Sequence, residues 1–254
     1  MTNPVHRTIL LFDIERFGTR DDVEQAFLRR LLYEVVDATL LAADIDETAR
    51  LRADRGDSVM ELIDAQASVP ALVKTLLTET PALLHNKNRM IAAGAQMRLR
   101  VVLSSGYVAI DDNGWVGSDL NHAVRLLNSD PLRAALKERA DDSALCVSDA
   151  VYQGVVRHGP LGVRPDGFHR ITVETKEGPT VAWLHGEPGS GDDPDVKRED
   201  HEESTPRSRP ASVDLGNASF GGGYVAGDQH GVSGGKVKGD VTMGSRITER
   251  GERE

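Results

Sequence analysis

The amino-acid composition changes abruptly near Gly186, and this break limits which part of the chain can build a hydrophobic core. More than half of the 25 glycines lie at or beyond that residue, although most of the 254 residues precede it. The stretch from 187 to 211 is acidic and almost free of apolar side chains, so burial cannot repay the entropy lost on ordering. We therefore expect a folded domain over residues 1–186, a disordered acidic linker over 187–211 and a Gly-rich tail over 212–254.

Charge and cysteine content exclude several classes of protein. The chain carries 40 acidic and 30 basic residues, a formal net charge of −10, which argues against a protein that binds the phosphate backbone of nucleic acids. No apolar run is long enough to span a membrane, and the N-terminus lacks the shape of a signal peptide. The single cysteine, Cys146, excludes an intramolecular disulfide. We expect a cytoplasmic protein with no membrane or nucleic-acid partner.

Strand and helix patterns alternate through the first 186 residues. The apolar run Ile9 to Phe12 predicts a buried strand, and apolar residues at spacings of three and four predict an amphipathic helix over 21–43. Further patterns predict strands at 50–63 (a hairpin), 97–110, 145–147, 168–174 and 180–185, and helices at 69–84, 119–127, from Pro131 and at 149–156. This alternation predicts an α/β sandwich with one sheet and helices on one face.

Two aspartates follow predicted strands at positions where a carboxylate can serve chemistry. Asp13 ends the first strand, and Asp57 follows Gly56 in the tight turn of the hairpin. If the two strand ends are adjacent, their carboxylates would form a hard, oxygen-rich site suited to Mg²⁺ or Mn²⁺. Taken singly, each is also an ordinary turn-forming or helix-capping residue.

The segment from 114 to 128 supplies a second candidate group. Asn121 and Arg125 are four residues apart, so on a helix they share one face. An amide and a guanidinium projecting together are suitable donors for a sugar oxygen and a polyphosphate. The alternative is a solvated helix face with no ligand.

Together these segments resemble the catalytic domain of class III nucleotidyl cyclases, the adenylate and guanylate cyclase family. An apolar strand followed by Asp-Ile-x-x-Phe is matched at 13–17, and a hairpin Gly-Asp at 56–57. The helix motif Asn-x-x-x-Arg after a glycine is matched by Asn121 and Arg125 after Gly117. The late lysine of the family, on the closing hairpin, corresponds to Lys176. The motifs occur in the family's order over roughly residues 6 to 185.

The resemblance implies a fold and a reaction. The fold is a ferredoxin-like βαββαβ core with added elements, and the active site forms between two protomers packed head to tail. Asp13, Ile14 and Asp57 of one protomer would bind two Mg²⁺ or Mn²⁺ ions that grip the triphosphate. From the other protomer, Asn121 would orient the ribose and Arg125 would neutralise charge at the α-phosphate, with Lys176 also binding substrate. A nucleoside triphosphate would become a 3′,5′-cyclic nucleotide and pyrophosphate.

The two positions that select a purine base in this family depart from its pattern. A lysine is expected four residues before the second metal aspartate, where this chain has Ala53, and an Asp or Cys seven residues before the Asn, where it has Gly114. Three outcomes stay open: a cyclase that reads its base differently, an enzyme of low selectivity, or a domain that binds a nucleotide without turning it over.

A second class of function also fits the sequence. The tail repeats Gly-Gly-x-Val-x-Gly-Asp at 222–228 and 234–240, which favours either a segment that pairs with a protein partner or a flexible Gly-rich arm. Joined to a cyclase-like domain of weak or no activity, such a tail would make the chain a regulatory module. The presence of both metal aspartates and the Asn/Arg pair favours the enzyme.

Overall fold

The structure is a computed structural model that describes residues 3–112, 114–175 and 178–187. Its strands are β1 Val5–Ile14, β2 Arg50–Asp54, β3 Ser58–Asp64, β4 Leu99–Asp111, β5 Gly114–Val116, β6 Ser143–Ser148, β7 Phe168–Thr175 and β8 Gly178–His185. Its helices are α1 Asp22–Ala42, α2 Val69–Leu77, α3 Glu79–Asn88, α4 Ser118–Leu127, α5 Asp130–Glu138 and α6 Asp149–Gly154. Lys176 and, apart from Glu187, the predicted linker and tail lie outside the described residues.

The strands form one sheet in the order β2-β3-β1-β4-β6-β8-β7, and β5 is added to β4. The first four strands pair antiparallel in the order β2-β3-β1-β4, with helices connecting β1 to β2 and β3 to β4. This is the predicted ferredoxin-like βαββαβ arrangement, which is confirmed. Strand β6 then joins β4 in parallel, and the β7–β8 hairpin extends the sheet beyond it.

Helices cover both faces of the sheet, so the prediction that they lie on one face is wrong. Leu10 and Phe12 of β1 face a core built with α1, α2, α3 and α6. Ile9 and Leu11 face a second core built with α4 and α5. Successive side chains of a strand point to opposite faces, and a continuous apolar run is typical of a strand buried on both.

The predicted helix over 69–84 is two helices. α2 ends at Leu77, α3 begins at Glu79, and the intervening Thr78 has φ −121° and ψ −67°. Pro81 explains the break, because a proline has no N–H for the helical ladder and its ring clashes with the carbonyl four residues earlier. In the described segments, no helix combines the length and the apolar character needed to cross a bilayer.

Candidate active site

Asp13 lies at the end of β1, between two partner strands. In the antiparallel registers it is opposite Ser58 of β3 and Arg100 of β4. Asp13 belongs to the same alternating series as Ile9 and Leu11, so its side chain is on the face covered by α4 and α5. That side chain is only 10% exposed, so any partner of its carboxylate acts with little screening by water.

Asp57 lies in the β2–β3 turn, directly before the residue that pairs with Asp13. The turn is closed by a hydrogen bond from Arg55 N to Ser58 O of 2.9 Å, and Gly56 adopts φ +90°, which favours glycine. The backbone N–H of Ile14 donates to the carbonyl of Asp57 over 3.0 Å. The structure therefore brings Asp13, Ile14 and Asp57 together at one end of the sheet.

Burial and neighbouring charges set the protonation of Asp13 in opposite directions. Burial raises the pKa of its carboxyl group above the ordinary value, and the negative charge of Asp57 acts in the same sense. The charges of Arg100 and Arg133 and a hydrogen bond from Arg100 lower it, without cancelling the effect of burial. A buried carboxylate beside a second carboxylate is an environment that a bound cation would stabilise.

Arg100 is a site residue that the sequence analysis did not identify. Its Nε donates to Asp13 Oδ1 over 3.0 Å, and its Nη2 contacts the same oxygen. Its Nη1 approaches the carbonyl of Leu127, at the end of α4, at 3.4 Å. The available signal was a charged residue within an otherwise apolar strand pattern, at a position that the β1–β4 register places across from Asp13.

The donors at this end of the sheet fit a divalent cation. They are the carboxylates of Asp13 and Asp57 and the backbone carbonyl of Ile14, an apolar residue that is 2% exposed as a whole. No cluster of three or more Asp, Glu, His or Cys side chains with metal-binding geometry occurs among the described residues. Two carboxylates are nevertheless the usual protein contribution to Mg²⁺ bound mainly through substrate phosphates.

Two glycines and one aspartate fix the position of α4 against β4. A Cβ on Gly106 would overlap the Asp119 side chain, and a Cβ on Gly117 would lie 2.6 Å from the carbonyl of Tyr107. In this close packing Asp119 Oδ2 accepts a 2.7 Å hydrogen bond from the backbone N–H of Tyr107. The first turn of α4 is thereby held on the second half of β4.

Asn121 and Arg125 lie on α4, in successive turns after this contact. Asn121 is exposed and Arg125 is half-buried. The start of α4 lies beside Gly106, six positions along β4 from Arg100 and Asp13. At the rise of a strand this is roughly 20 Å. The helix runs from there back towards Asp13, since the carbonyl of Leu127 at its end lies 3.4 Å from Arg100 Nη1. Arg125, two residues before Leu127, is therefore on the half of the helix nearer to the carboxylate pair.

The two positions expected to read the base carry small residues without polar side chains. Ala53 of β2 packs on the α4 side of the sheet, as do Ile110, Trp115 and Val124. Gly114 begins β5 with φ +129°, a conformation that favours glycine, and it pairs with Asp111. Neither position offers a hydrogen-bonding side chain.

Solved structures show which fold this is. The chain is similar to the guanylyl cyclase Cya2 (15% identity, TM-score 0.51), with 75% of this chain and 97% of that chain covered. It is also similar to an adenylate/guanylate cyclase/hydrolase from Silicibacter pomeroyi (18% identity, TM-score 0.52, 74% and 100% covered). A bacterial light-regulated adenylyl cyclase matches at 16% identity and a TM-score of 0.51, with 74% and 94% covered. The described domain therefore has the fold of class III cyclase catalytic domains.

These matches are similarities of three-dimensional structure at 15–18% sequence identity. No protein-family model matches the chain, and no curated protein matches it.

Proposed function

We propose that this chain is a nucleotidyl cyclase, which converts a nucleoside triphosphate to a 3′,5′-cyclic nucleotide and pyrophosphate as a metal-dependent, head-to-tail homodimer. The observation that carries the proposal is the convergence of Asp13 and Asp57 at one end of a sheet that has the fold of cyclase catalytic domains. A triphosphate substrate also favours the cytoplasm as the place of action.

Asp13, Asp57 and the carbonyl of Ile14 would hold two Mg²⁺ or Mn²⁺ ions at this end of the sheet. The ions would supply Lewis-acid stabilisation of the triphosphate and make the ribose 3′-hydroxyl a better nucleophile. The turn at Gly56 and the Ile14–Asp57 backbone hydrogen bond keep the two carboxylates in register. Arg100 and Arg133 are the cations of the same protomer whose charges act on Asp13, and they would face the phosphates.

Asn121 and Arg125 would act on the substrate held by a second copy of the chain. Asn121 would orient a sugar oxygen, and Arg125 would neutralise the charge that develops at the α-phosphate. The exposure of Asn121 supports a site shared between two copies. Lys176 would also bind the substrate, as the same resemblance implies.

Base recognition in this chain would rest on apolar contact. Ala53 and Gly114 provide no donor or acceptor side chain, and Trp115, next to Gly114 in the chain, is a half-buried aromatic residue that packs on the α4 side of the sheet. An aromatic face stacks on any base, whereas hydrogen bonds distinguish one base from another. We expect modest discrimination among the four ribonucleoside triphosphates.

The direct test is incubation of the purified full chain with each ribonucleoside triphosphate and Mn²⁺, followed by mass analysis. A product with the mass of a 3′,5′-cyclic monophosphate, together with released pyrophosphate, is the expected result. Asp57→Ala should abolish it, while Asp112→Ala, which changes an exposed aspartate on a loop, should not. Absence of a cyclic product from all four substrates would contradict the proposal.

One observation favours a second candidate, a nucleotide-binding regulatory module. In the structure the Asp13 carboxylate is already engaged by Arg100, and a permanent ion pair there would exclude metal. The tail would then recruit a protein partner to the bound state. Tight binding of a triphosphate without any product, in the presence of Mn²⁺, would favour this candidate over the cyclase.

A further inference from the structure

We propose that Arg100 makes metal binding at Asp13 conditional on the triphosphate: its guanidinium holds the carboxylate until phosphate oxygens draw it away. The inference rests on the proposed function, because it takes Asp13 as a metal ligand and a triphosphate as the incoming anion. It assigns to Arg100 a second role beside phosphate binding, which is to set the order in which metal and triphosphate enter the site.

The contact is directed at one carboxylate oxygen. Both Nε and Nη2 of Arg100 bond Asp13 Oδ1, and the two residues are register partners across the β1–β4 ladder. The sheet itself therefore presents the guanidinium to the carboxylate. A metal ion on Oδ1 would compete for the same lone pairs and would face a positive group within hydrogen-bonding distance.

Burial makes the competition strong. The side chains of Asp13 and Arg100 are 10% and 13% exposed, so water screens the charges poorly. A second cation brought to this oxygen would meet nearly unscreened repulsion from the guanidinium. A divalent cation alone should therefore bind weakly while Arg100 is in place.

A triphosphate removes the obstacle by offering Arg100 a better partner. A planar guanidinium bonds phosphate oxygens in pairs, and a triphosphate carries more negative charge than one carboxylate. The remaining anchor of Arg100 is a long 3.4 Å contact from Nη1 to the carbonyl of Leu127, which holds it only weakly. Arg133, whose charge also acts on Asp13, adds to the attraction for the anion.

The consequence is positive coupling between metal and triphosphate. Each ligand should raise the affinity of the other, because both favour the state in which Arg100 has left Asp13. Free metal then occupies the carboxylates only slightly, and the site is completed when nucleotide arrives.

The test measures Mn²⁺ binding to the full chain by the loss of the free-ion paramagnetic resonance signal, with no nucleotide present. Arg100→Gln should bind Mn²⁺ about tenfold more tightly than the wild-type chain, a coupling of ordinary size. The matched control is Arg7→Gln, which removes another cross-strand Arg–Asp pair, Arg7 with Asp64, from the opposite end of β1. The control should leave Mn²⁺ affinity unchanged.

Calorimetry with the preformed Mn²⁺–tripolyphosphate complex supplies a second signature. The ranking of affinities should reverse for this complex. The wild-type chain should bind it more tightly than Arg100→Gln, because the variant has lost a phosphate contact. If Arg100→Gln misfolds by circular dichroism, Arg100→Lys replaces it. The ammonium group of lysine cannot make the paired contact of a guanidinium. The Mn²⁺ affinity of Arg100→Lys should therefore lie between that of the wild-type chain and that expected for an unpaired Asp13 carboxylate.

The outcomes separate the inference from the proposed function. Equal Mn²⁺ affinities of wild type and a folded Arg100 variant would overturn the inference, even if wild type forms a cyclic product. Tighter Mn²⁺ binding by the variant, with reversal on the tripolyphosphate complex, would support the inference even if no triphosphate is cyclised. Failure of every variant to bind Mn²⁺ would overturn the inference.

Discussion

The backbone N–H of Ile14 donates to the backbone carbonyl of Asp57 over 3.0 Å, so the end of β1 and the β2–β3 turn are joined by main chain. This bond fixes the separation of the two backbone segments from which the carboxylates project. Side chains on a main-chain frame of this kind lose little conformational entropy when they bind a ligand. The conformation of the turn should therefore control the chemistry more than it controls the stability of the fold.

Gly56→Ala tests that expectation. Gly56 adopts φ +90° with open space where a Cβ would lie, so alanine is strained by its backbone and meets no clash. We expect a loss of about 1 kcal/mol in the free energy of unfolding, measured by urea denaturation, and a much larger relative loss of cyclic product. Gly154→Ala, at a glycine with equally open space and without positive φ, is the control. Unchanged activity of Gly56→Ala would show that the turn tolerates rearrangement.

Gly106→Ala should disrupt the packing of α4 against β4. The added methyl group would overlap the Asp119 side chain in a buried position, and such overpacking typically costs about 1–3 kcal/mol. Since α4 carries Asn121 and Arg125, turnover should fall together with the melting temperature. Gly94→Ala, at an exposed glycine with nothing near its Cβ, should change neither. A stable, fully active Gly106→Ala would mean that α4 can shift without consequence for the site.

Asp37 of α1, which pairs with two arginines of the edge strand β2, should make the stability of the fold depend on pH. Burial alone would raise its pKa, but hydrogen bonds and charges from Arg52 and Arg50, at 2.6 and 2.9 Å, outweigh burial and lower it. Because the pKa of Asp37 is lower in the folded state than in the unfolded state, its ionised carboxylate stabilises the fold at pH values above the unfolded pKa, near 3.8. This stabilisation is lost as the pH falls through the folded-state pKa.

Asp37→Asn should accordingly lower the thermal midpoint at neutral pH and leave it unchanged once the pH is well below 3.8. Asp112→Asn, an exposed aspartate, should have no effect at either pH. A midpoint for Asp37→Asn that equals wild type at neutral pH would show that the two arginines gain nothing from this carboxylate.

Most elements of the fold could be predicted from local patterns. The apolar run of β1, the spacing of α1 and the glycine turn of the β2–β3 hairpin each encode one element without reference to the rest of the chain. The positions of Asp13, Asp57, Asn121 and Arg125 follow from those elements. Their roles were predicted from a family resemblance, and these stay predictions.

Features that depend on contacts between distant segments could not be predicted in the same way. The pairing of Arg100 with Asp13 joins residues far apart in sequence and needs the β1–β4 register.

Two other features that were predicted wrongly do have a local signal in the sequence. The second layer of helices follows from both faces of β1 being apolar, which the continuous run Ile9 to Phe12 indicates. The break at Thr78 is signalled by Pro81 three residues later.

Truncation after Glu187 tests the predicted boundary of the folded domain. Among the described residues, Leu184 is the last that is buried in the core. Gly186 is held by its N–H, which donates to Gly167 O over 2.7 Å, and by its carbonyl, which lies 2.8 Å from His169 Nδ1. Ending the chain at Glu187 keeps these bonds, so the melting temperature should stay within error of the full chain. A large decrease would show that the linker or tail packs on the domain.

The measurement that tests the central claim most directly is complementation between two inactive variants. Asp57→Ala and Arg125→Ala should each fail to form a cyclic product, since each lacks one half of both composite sites. After subunit exchange, the mixed dimer has one site with both halves intact, and turnover should recover to about a quarter of wild type in an equal mixture. No recovery from variants shown by mass to have exchanged subunits would contradict an active site shared between two copies of this chain.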